Sequence, residues 1–266
     1  MAPRHGGPSH RSYAHRSSGA ARYRFVFLKG ALPGAPPNPG LCSRRSCQRR
    51  IPRRFPHVTA SHEERCVVLD AMGVIYRDGD DVHDLLVPYL RAKGCHLDES
   101  RVRALYLACS LGQISSGDFW RLAGVGRLAS DEEYCEGYRL NDRVTDLLRE
   151  LQTRGIRTAC LSNDVSEWSR LLRKRFGLES LIPTWVISGD VGIRKPAPEI
   201  YQVLLHKLGC DGSAVVLVDD SVRNLDAATT LGMDTILFTP VRFGECNHAQ
   251  VSSMEQLSEV LLRSAS

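Results

Sequence analysis

Residues 66–76 read CVVLDAMGVIY. Cys66–Leu69 is a short apolar run that stops at Asp70, with two adjacent β-branched residues suited to a strand buried on both faces of a parallel sheet. Such a strand would leave Asp70 at its carboxyl end, where open α/β sheets place their ligands. Gly73 lets the backbone turn or approach a bound group. An aspartate there can be a nucleophile, a metal ligand or both. Alone, it fits a turn cap equally well.

Downstream of residue 140 the pattern alternates. An apolar helical face at Val144, Leu147, Leu148 and Leu151 leads into IRTACLSND (156–164), and SEWSRLLRKRFG (166–177) leads into TWVISGD (184–190). The loop GIRKPAP (192–198) and a helix over 199–208 precede AVVLVDD (214–220), a helix over 221–231 and DTILF (234–238). A helix over 254–264 closes the series. Strand and helix alternating through short Gly-marked turns predict an α/β fold, a doubly wound parallel sheet.

Residues 81–140 interrupt this alternation with helical signals alone. Residues 82–94 place Val82, Leu85, Leu86, Tyr89 and Leu90 on one helical face, with Pro88 as a kink. Asp98 is an N-cap for a helix carrying Val102, Leu105, Tyr106 and Cys109 on one side. Residues 115–124 and 131–140 suggest two further short helices, with Phe119 and Trp120 as packing residues. The expected division is a core of 65–80 and 141–266 with a helical cap of 81–140.

Residues 1–60 differ from everything after them. They hold twelve Lys and Arg, no Asp or Glu, and eight of the thirteen prolines, so they read as a disordered basic Pro/Arg-rich segment. They also read as sequence upstream of a true start near Val58 or Ala60, with a transit peptide or a nucleic-acid-binding arm as alternatives. With those twelve set aside, 23 Lys and Arg face 30 Asp and Glu, and the remainder carries −7. The overall charge of +5 therefore predicts no nucleic-acid partner for the core. Nine cysteines are scattered without a CxxC pair, which gives no support to a zinc ribbon or a thioredoxin-type motif and fits a reduced cytoplasm. No run of about 18 apolar residues predicts a membrane span. No oligomeric state is read from the sequence.

Four strand ends carry polar residues that would share one rim of the sheet: Asp70, then Ser162 and Asn163, then Lys195 in the following loop, then Asp219 and Asp220. Adjacent carboxylates repel unless a cation or a base lies nearby. Taken in order, VVLDAMGV (67–74), ACLSND (159–164), GIRKPAPEIY (192–201) and VVLVDDSVRNLDAATTLGM (215–233) resemble the haloacid dehalogenase superfamily of aspartyl-nucleophile hydrolases, in the subgroup with a helical cap after the first motif. The resemblance covers about Arg65–Leu262.

The resemblance implies a phosphatase in which Asp70 attacks phosphorus and the aspartyl-phosphate is then hydrolysed. Mg²⁺ would be held by Asp70, the backbone carbonyl of Met72 and Asp220, with Asp219 as a neighbouring or water-mediated ligand. Lys195 would offset charge, Ser162 would hydrogen-bond the phosphoryl oxygens, Asn163 would lie beside the substrate, and Asn224 would orient the metal shell or the lysine. The implied partner is a small phosphorylated molecule. One position departs from the pattern: most phosphatases of the superfamily carry a second Asp two residues after the nucleophile, and here it is Met72, whose thioether transfers no proton. His83 and Asp78 are conceivable replacements. A metal-independent 2-haloacid dehalogenase-like hydrolase, whose halide leaves without a proton, and a catalytically silent metal- or phosphate-binding module are the alternatives. Lys93, Arg121, Arg127 and Arg139 are the cap cations available to an anionic substrate group, although each reads first as a solvated surface charge.

Overall fold

The computed structural model describes residues 65–240, 244 and 246–263, and the predicted disordered segment 1–60 lies outside them. Six strands run β1 (Cys66–Leu69), β2 (Arg157–Ser162), β3 (Thr184–Ile187), β4 (Val215–Asp219), β5 (Asp234–Phe238) and β6 (Ala249–Val251). All pair in parallel, in the order β3-β2-β1-β4-β5-β6. The chain leaves β1 toward β3 and then returns to the other side of β1 as β4. Between β1 and β4 the direction of winding reverses, and such a switch point opens a crevice at the strands' carboxyl ends.

The central strands β1 and β4 are buried on both faces, and alternate residues serve opposite layers. Val67 and Leu69 pack with α5 (Val144–Thr153), α6 (Ser166–Arg175) and α10 (Met254–Arg263). Cys66 and Val68 pack with α8 (Pro198–Leu208) and α9 (Val222–Thr229). This two-residue period makes the run CVVL hydrophobic throughout. Cys66 and Cys160 are fully buried in it, as small core residues.

Between β1 and β2 lie only helices. A π-helical turn, Val82–Leu86, leads into α1 (Val87–Ala92), followed by α2 (Glu99–Cys109), α3 (Ser116–Leu122) and α4 (Asp131–Glu136). The expected kink at Pro88 takes the form of this register change. Val87 N–H donates to Val82 O, five residues back, and Pro88, which has no N–H, follows directly. Side-chain caps start the other three helices: Asp98 accepts from Arg101 N at 2.8 Å, Ser115 from Asp118 N at 3.0 Å, and Ser130 from Glu133 N at 3.2 Å.

An aromatic cluster seats this insertion on α6. The Trp168 ring lies 4.6 Å from Tyr134, 5.3 Å from Trp120 and 5.5 Å from Phe119. Asp131 Oδ1 accepts both indole N–H groups, of Trp120 and Trp168, at 2.7 Å each. Phe119 and Trp120 are therefore packing residues, as their spacing suggested.

Two elements differ from the sequence expectation. The run 184–190 is a strand only to Ile187, because Ser188–Val191 turns into a short helix, α7, carrying the chain toward Lys195. β6 was not foreseen, since its three residues have no apolar run. It owes its existence to pairing with β5 rather than to local pattern. Among the described residues, no helix is long and apolar enough to cross a membrane.

Candidate active site

Asp70 sits where β1 ends. Its N–H donates to Val218 O at 2.9 Å, extending the β1–β4 ladder by one rung, and its Oδ1 accepts Ala71 N–H at 2.6 Å. β4 ends beside it with Asp219, and Asp220 follows. Carboxylate oxygens of Asp70, Asp219 and Asp220 all lie within 4.8 Å of one another. Adjacent parallel strands in register place these groups together. The pairing of Leu69 with Val218 makes the next residues neighbours.

Lys195 enters from the loop after α7. Its Nζ is 2.8 Å from Asp70 Oδ1 and 2.6 Å from Asp219 Oδ2, and all three side chains are almost completely buried. Asn163, just beyond β2, holds this lysine by its backbone: its Nδ2 donates to Lys195 O at 3.0 Å and its Oδ1 accepts Lys195 N–H at 2.8 Å. Asp219 also accepts Ser221 N–H at 2.9 Å and Asn224 Nδ2–H at 3.0 and 3.2 Å, so its oxygens are saturated by the protein.

Two groups at the site are short of partners. Ser162 Oγ is buried without a hydrogen-bond partner, although buried hydroxyls are normally paired. Asp220 accepts only its own backbone N–H among the described residues, and Gly73 and Gly79 crowd its carboxylate. A Cβ at Gly79 would lie 2.6 Å from its Oδ2.

The electrostatics of the cluster favour a further positive charge. Burial pushes the Asp70 carboxyl well above its ordinary value; Lys195 opposes this, and Asp219 and Asp220 add to it. Burial and the charge of Asp219 push Asp220 up to about 6. Burial alone would lower the Lys195 ammonium, but Asp219 and Asp70 outweigh it and raise it. Three carboxylates against one ammonium leave excess negative charge in a largely buried cluster. The all-oxygen donor set suits a hard divalent cation. The residues therefore fit such an ion.

The cluster opens into a cavity of about 330 Å³. Asp70, Met72, Ser162, Asn163, Asp220 and Asn224 line it from the core, and Lys195 and Asp219 stand immediately behind Asp70. Its far wall comes from the insertion and from the loop before Lys195: Asp80, Asp81, Arg103, Tyr106, Leu107 and Arg194.

None of the four cap cations considered from the sequence lines that wall, in keeping with their reading as surface charges. Lys93 pairs with Glu133 at 2.5 Å and Arg121 with Asp118 at 3.0 Å, and neither they nor Arg127 and Arg139 line the cavity. Arg103 and Arg194 do. Arg194 lies over the Tyr106 ring, 5.7 Å from its centroid, and donates to Ser110 Oγ. His83 and Asp78 are likewise absent from the lining, and His83 bonds Glu99 at 3.2 Å. Asp81, in the run DGDD (78–81), was missed because in the sequence it marked only the boundary of the helical insertion. Arg194 had one available signal, its adjacency to Lys195.

The family description of haloacid dehalogenase-like hydrolases matches residues 64–232. The chain belongs to that family. Within it, this haloacid dehalogenase-like hydrolase is 27% identical over 130 residues to glyceraldehyde 3-phosphate phosphatase of Methanothermobacter thermautotrophicus, covering 44% of this chain and 57% of the relative. It is 25% identical over 167 residues to (S)-2-haloacid dehalogenase 1 of Pseudomonas sp., covering 55% of this chain and 73% of the relative. The chain spans about half the length of the first curated relatives that it matches. Its fold is that of the HAD phosphatase crystal structure from Thermococcus onnurineus, with a TM-score of 0.57 and 21% identity over 74% of this chain and 97% of that one.

Proposed function

We propose that this hydrolase is a Mg²⁺-dependent phosphatase that works through an aspartyl-phosphate on Asp70. The observation that carries the reading is the Asp70–Asp219–Asp220 cluster, whose oxygens converge within 4.8 Å on space for one cation. Asp70, Asp220 and the Met72 carbonyl would hold Mg²⁺, with Asp219 behind them. The ion, when bound, supplies the positive charge that lets a carboxylate meet a phosphate dianion.

The chain's own groups supply the rest. Asp70 Oδ attacks phosphorus, and Lys195, already 2.8 Å from that carboxylate, favours its ionised form against the effect of burial. Ser162 Oγ, buried and unpartnered, donates to a phosphoryl oxygen. Asn163 fixes Lys195 from behind while lining the substrate side, and Asn224 fixes Asp219. A cavity of about 330 Å³ suits a small phosphorylated molecule. Residues 81–140 act as the cap that chooses it, over a core of 65–80 and 141–266. The free thiols of the seven described cysteines support a reducing, cytoplasmic setting.

Met72 favours a second reading, a 2-haloacid dehalogenase-like hydrolase, since halide leaves without a proton. One assay separates the two. The protein is given an activated aryl phosphate with Mg²⁺ or with chelator, and a chloro-acid in parallel. Metal-dependent phosphate release that is lost in Asp70→Asn supports the phosphatase. Metal-independent halide release replaces it with the dehalogenase, and silence on a broad panel replaces both with a binding module.

A further inference from the structure

Met72 leaves a phosphatase of this kind without a proton donor two residues beyond its nucleophile. The side chain that fills the gap has to be a carboxyl or similar group on the cavity wall, free of a neutralising cation, and shielded enough to keep a proton near neutral pH. Among the described residues, two carboxylates outside the metal cluster line the wall, Asp80 and Asp81, and a third, Asp164, is buried close to Asp81. Asp80 is half-exposed and tied to Arg103 at 2.6 Å, an ion pair that keeps it ionised. Asp164 is buried and does not reach the cavity. Asp81 alone meets all the conditions.

Its position is well determined. The segment that carries it folds against the cluster, because Gly79 packs on Asp220. The Asp81 side chain is buried, lines the cavity, and makes no ion pair among the described residues. Tyr138 OH donates to its Oδ2 at 2.8 Å, and Tyr138 in turn shares a 2.8 Å hydrogen bond with Tyr134 OH. Tyr106 OH lies 3.4 Å from the same oxygen and 3.1 Å from Asn163 O. Both tyrosines therefore address Oδ2, and Oδ1 is left for the cavity.

We propose that Asp81 is the general acid and base of this active site, doing from the start of the cap what Met72 cannot do from the core. The proposal rests on the phosphatase reading. In the first half-reaction Asp70 Oδ bonds to phosphorus and the bond from phosphorus to the ester oxygen breaks. The electron pair goes to that oxygen, which takes the proton of the Asp81 carboxyl and leaves as an alcohol. In the second half-reaction water attacks the phosphorus of the aspartyl-phosphate and gives its proton to the Asp81 carboxylate. The bond between phosphorus and Asp70 breaks, which releases inorganic phosphate and restores both aspartates.

The surroundings suit this cycle. Burial pushes the Asp81 carboxyl up to about 6; the Tyr138 hydrogen bond opposes the shift and the charge of Asp80 adds to it. The charged and titratable groups facing it are Asp80 on its own segment, Tyr106 on α2, Tyr134 and Tyr138 around α4, Asp164 after β2, and Arg194 before Lys195. A carboxyl held near the working pH can both give and take a proton.

The test compares an alkyl phosphate with an activated aryl phosphate, both with Mg²⁺. Asp81→Asn keeps the acceptor for Tyr138 but carries no titratable proton. The expected loss is about 10²–10⁴-fold on the alkyl ester, at least about tenfold more than on the aryl ester, whose leaving group needs little protonation. The alkaline limb of the alkyl pH profile should vanish. Tyr138→Phe, which leaves Asp81 in place, should move that limb to higher pH because it removes a donor to the carboxylate. Equal losses on both esters, or a limb unmoved in Tyr138→Phe, overturn the proposal. If the unmodified protein releases phosphate from neither ester, the phosphatase reading fails and the proton role falls with it.

Discussion

Lys195 Nζ lies 2.8 Å from Asp70 Oδ1, with both side chains almost wholly out of water. The same ammonium bridges to Asp219 at 2.6 Å, so one cation holds two carboxylates at the switch point of the sheet. Removing it should leave two buried negative charges side by side. Lys195→Met is therefore expected to cost about 3–5 kcal/mol at neutral pH, the usual penalty for orphaning a buried charge. The cost should shrink under acid, where the carboxyls take up protons instead. Urea unfolding at pH 7.5 and pH 5 measures both quantities. A neutral substitution at both pH values would mean that the three groups are not in contact.

Gly79 and Gly73 both press on Asp220, but they should respond differently to alanine. At Gly79 the new Cβ would stand 2.6 Å from the carboxylate oxygen with no left-handed backbone to strain. Gly79→Ala should therefore displace Asp220 and raise the Mg²⁺ concentration for half-maximal activity by about tenfold or more, as disturbance of groups supporting a metal ligand commonly does. Gly73 has φ +75°, so Gly73→Ala adds about 1–2 kcal/mol of backbone cost to the same displacement. Metal titrations and thermal melts of the two variants separate the effects.

Met72 is buried on the cavity wall. Met72→Asp should raise turnover on alkyl phosphates, within the limit of about 10²–10⁴-fold that proton transfer supplies. The gain should be larger when Asp81→Asn is also present, because the two carboxyls would then substitute for each other. Steady-state rates of the single and double variants form the cycle. Folded variants with no gain in either background would show that residue 72 does not face the leaving group.

Asp81 should weaken the fold at working pH. Its folded carboxyl, at about 6, lies above its ordinary 3.8, so the folded chain binds the proton more tightly than the unfolded one. The stability from this group is full below pH 3.8 and is lost as pH rises to about 6. The shift corresponds to about 3 kcal/mol at most. Asp81→Asn should consequently match the unmodified protein near pH 4 and exceed it above pH 6 by up to about 3 kcal/mol. Denaturation midpoints across that range give the answer. A variant less stable at pH 8 would show that the carboxylate is better solvated than its burial suggests.

The strands and helices of the core were largely legible in the sequence. Alternating use of the two faces makes buried parallel strands read as unbroken apolar runs, and CVVL, AVVLV and DTILF stand out for that reason. Strand ends were legible too, because an apolar run that stops at a polar residue marks where the sheet meets solvent or ligand. β6 was not, since AQV has no pattern of its own and forms only because β5 offers an edge.

The sequence by itself determined a parallel sheet, a helical insertion after the first strand, and the polar residues that end three of its strands together with Lys195 in a loop beyond a fourth. Tertiary structure alone decided which side chains from the insertion face those residues. Asp81 meets Tyr138 across 57 positions and Tyr106 across 25, while Lys93 and Arg121 turn away to local acids. The physical reason is that hydrophobic periodicity records how deeply each element is buried, one element at a time. The wall of a cavity is set by how separate elements pack against each other, and no short stretch of chain carries that information.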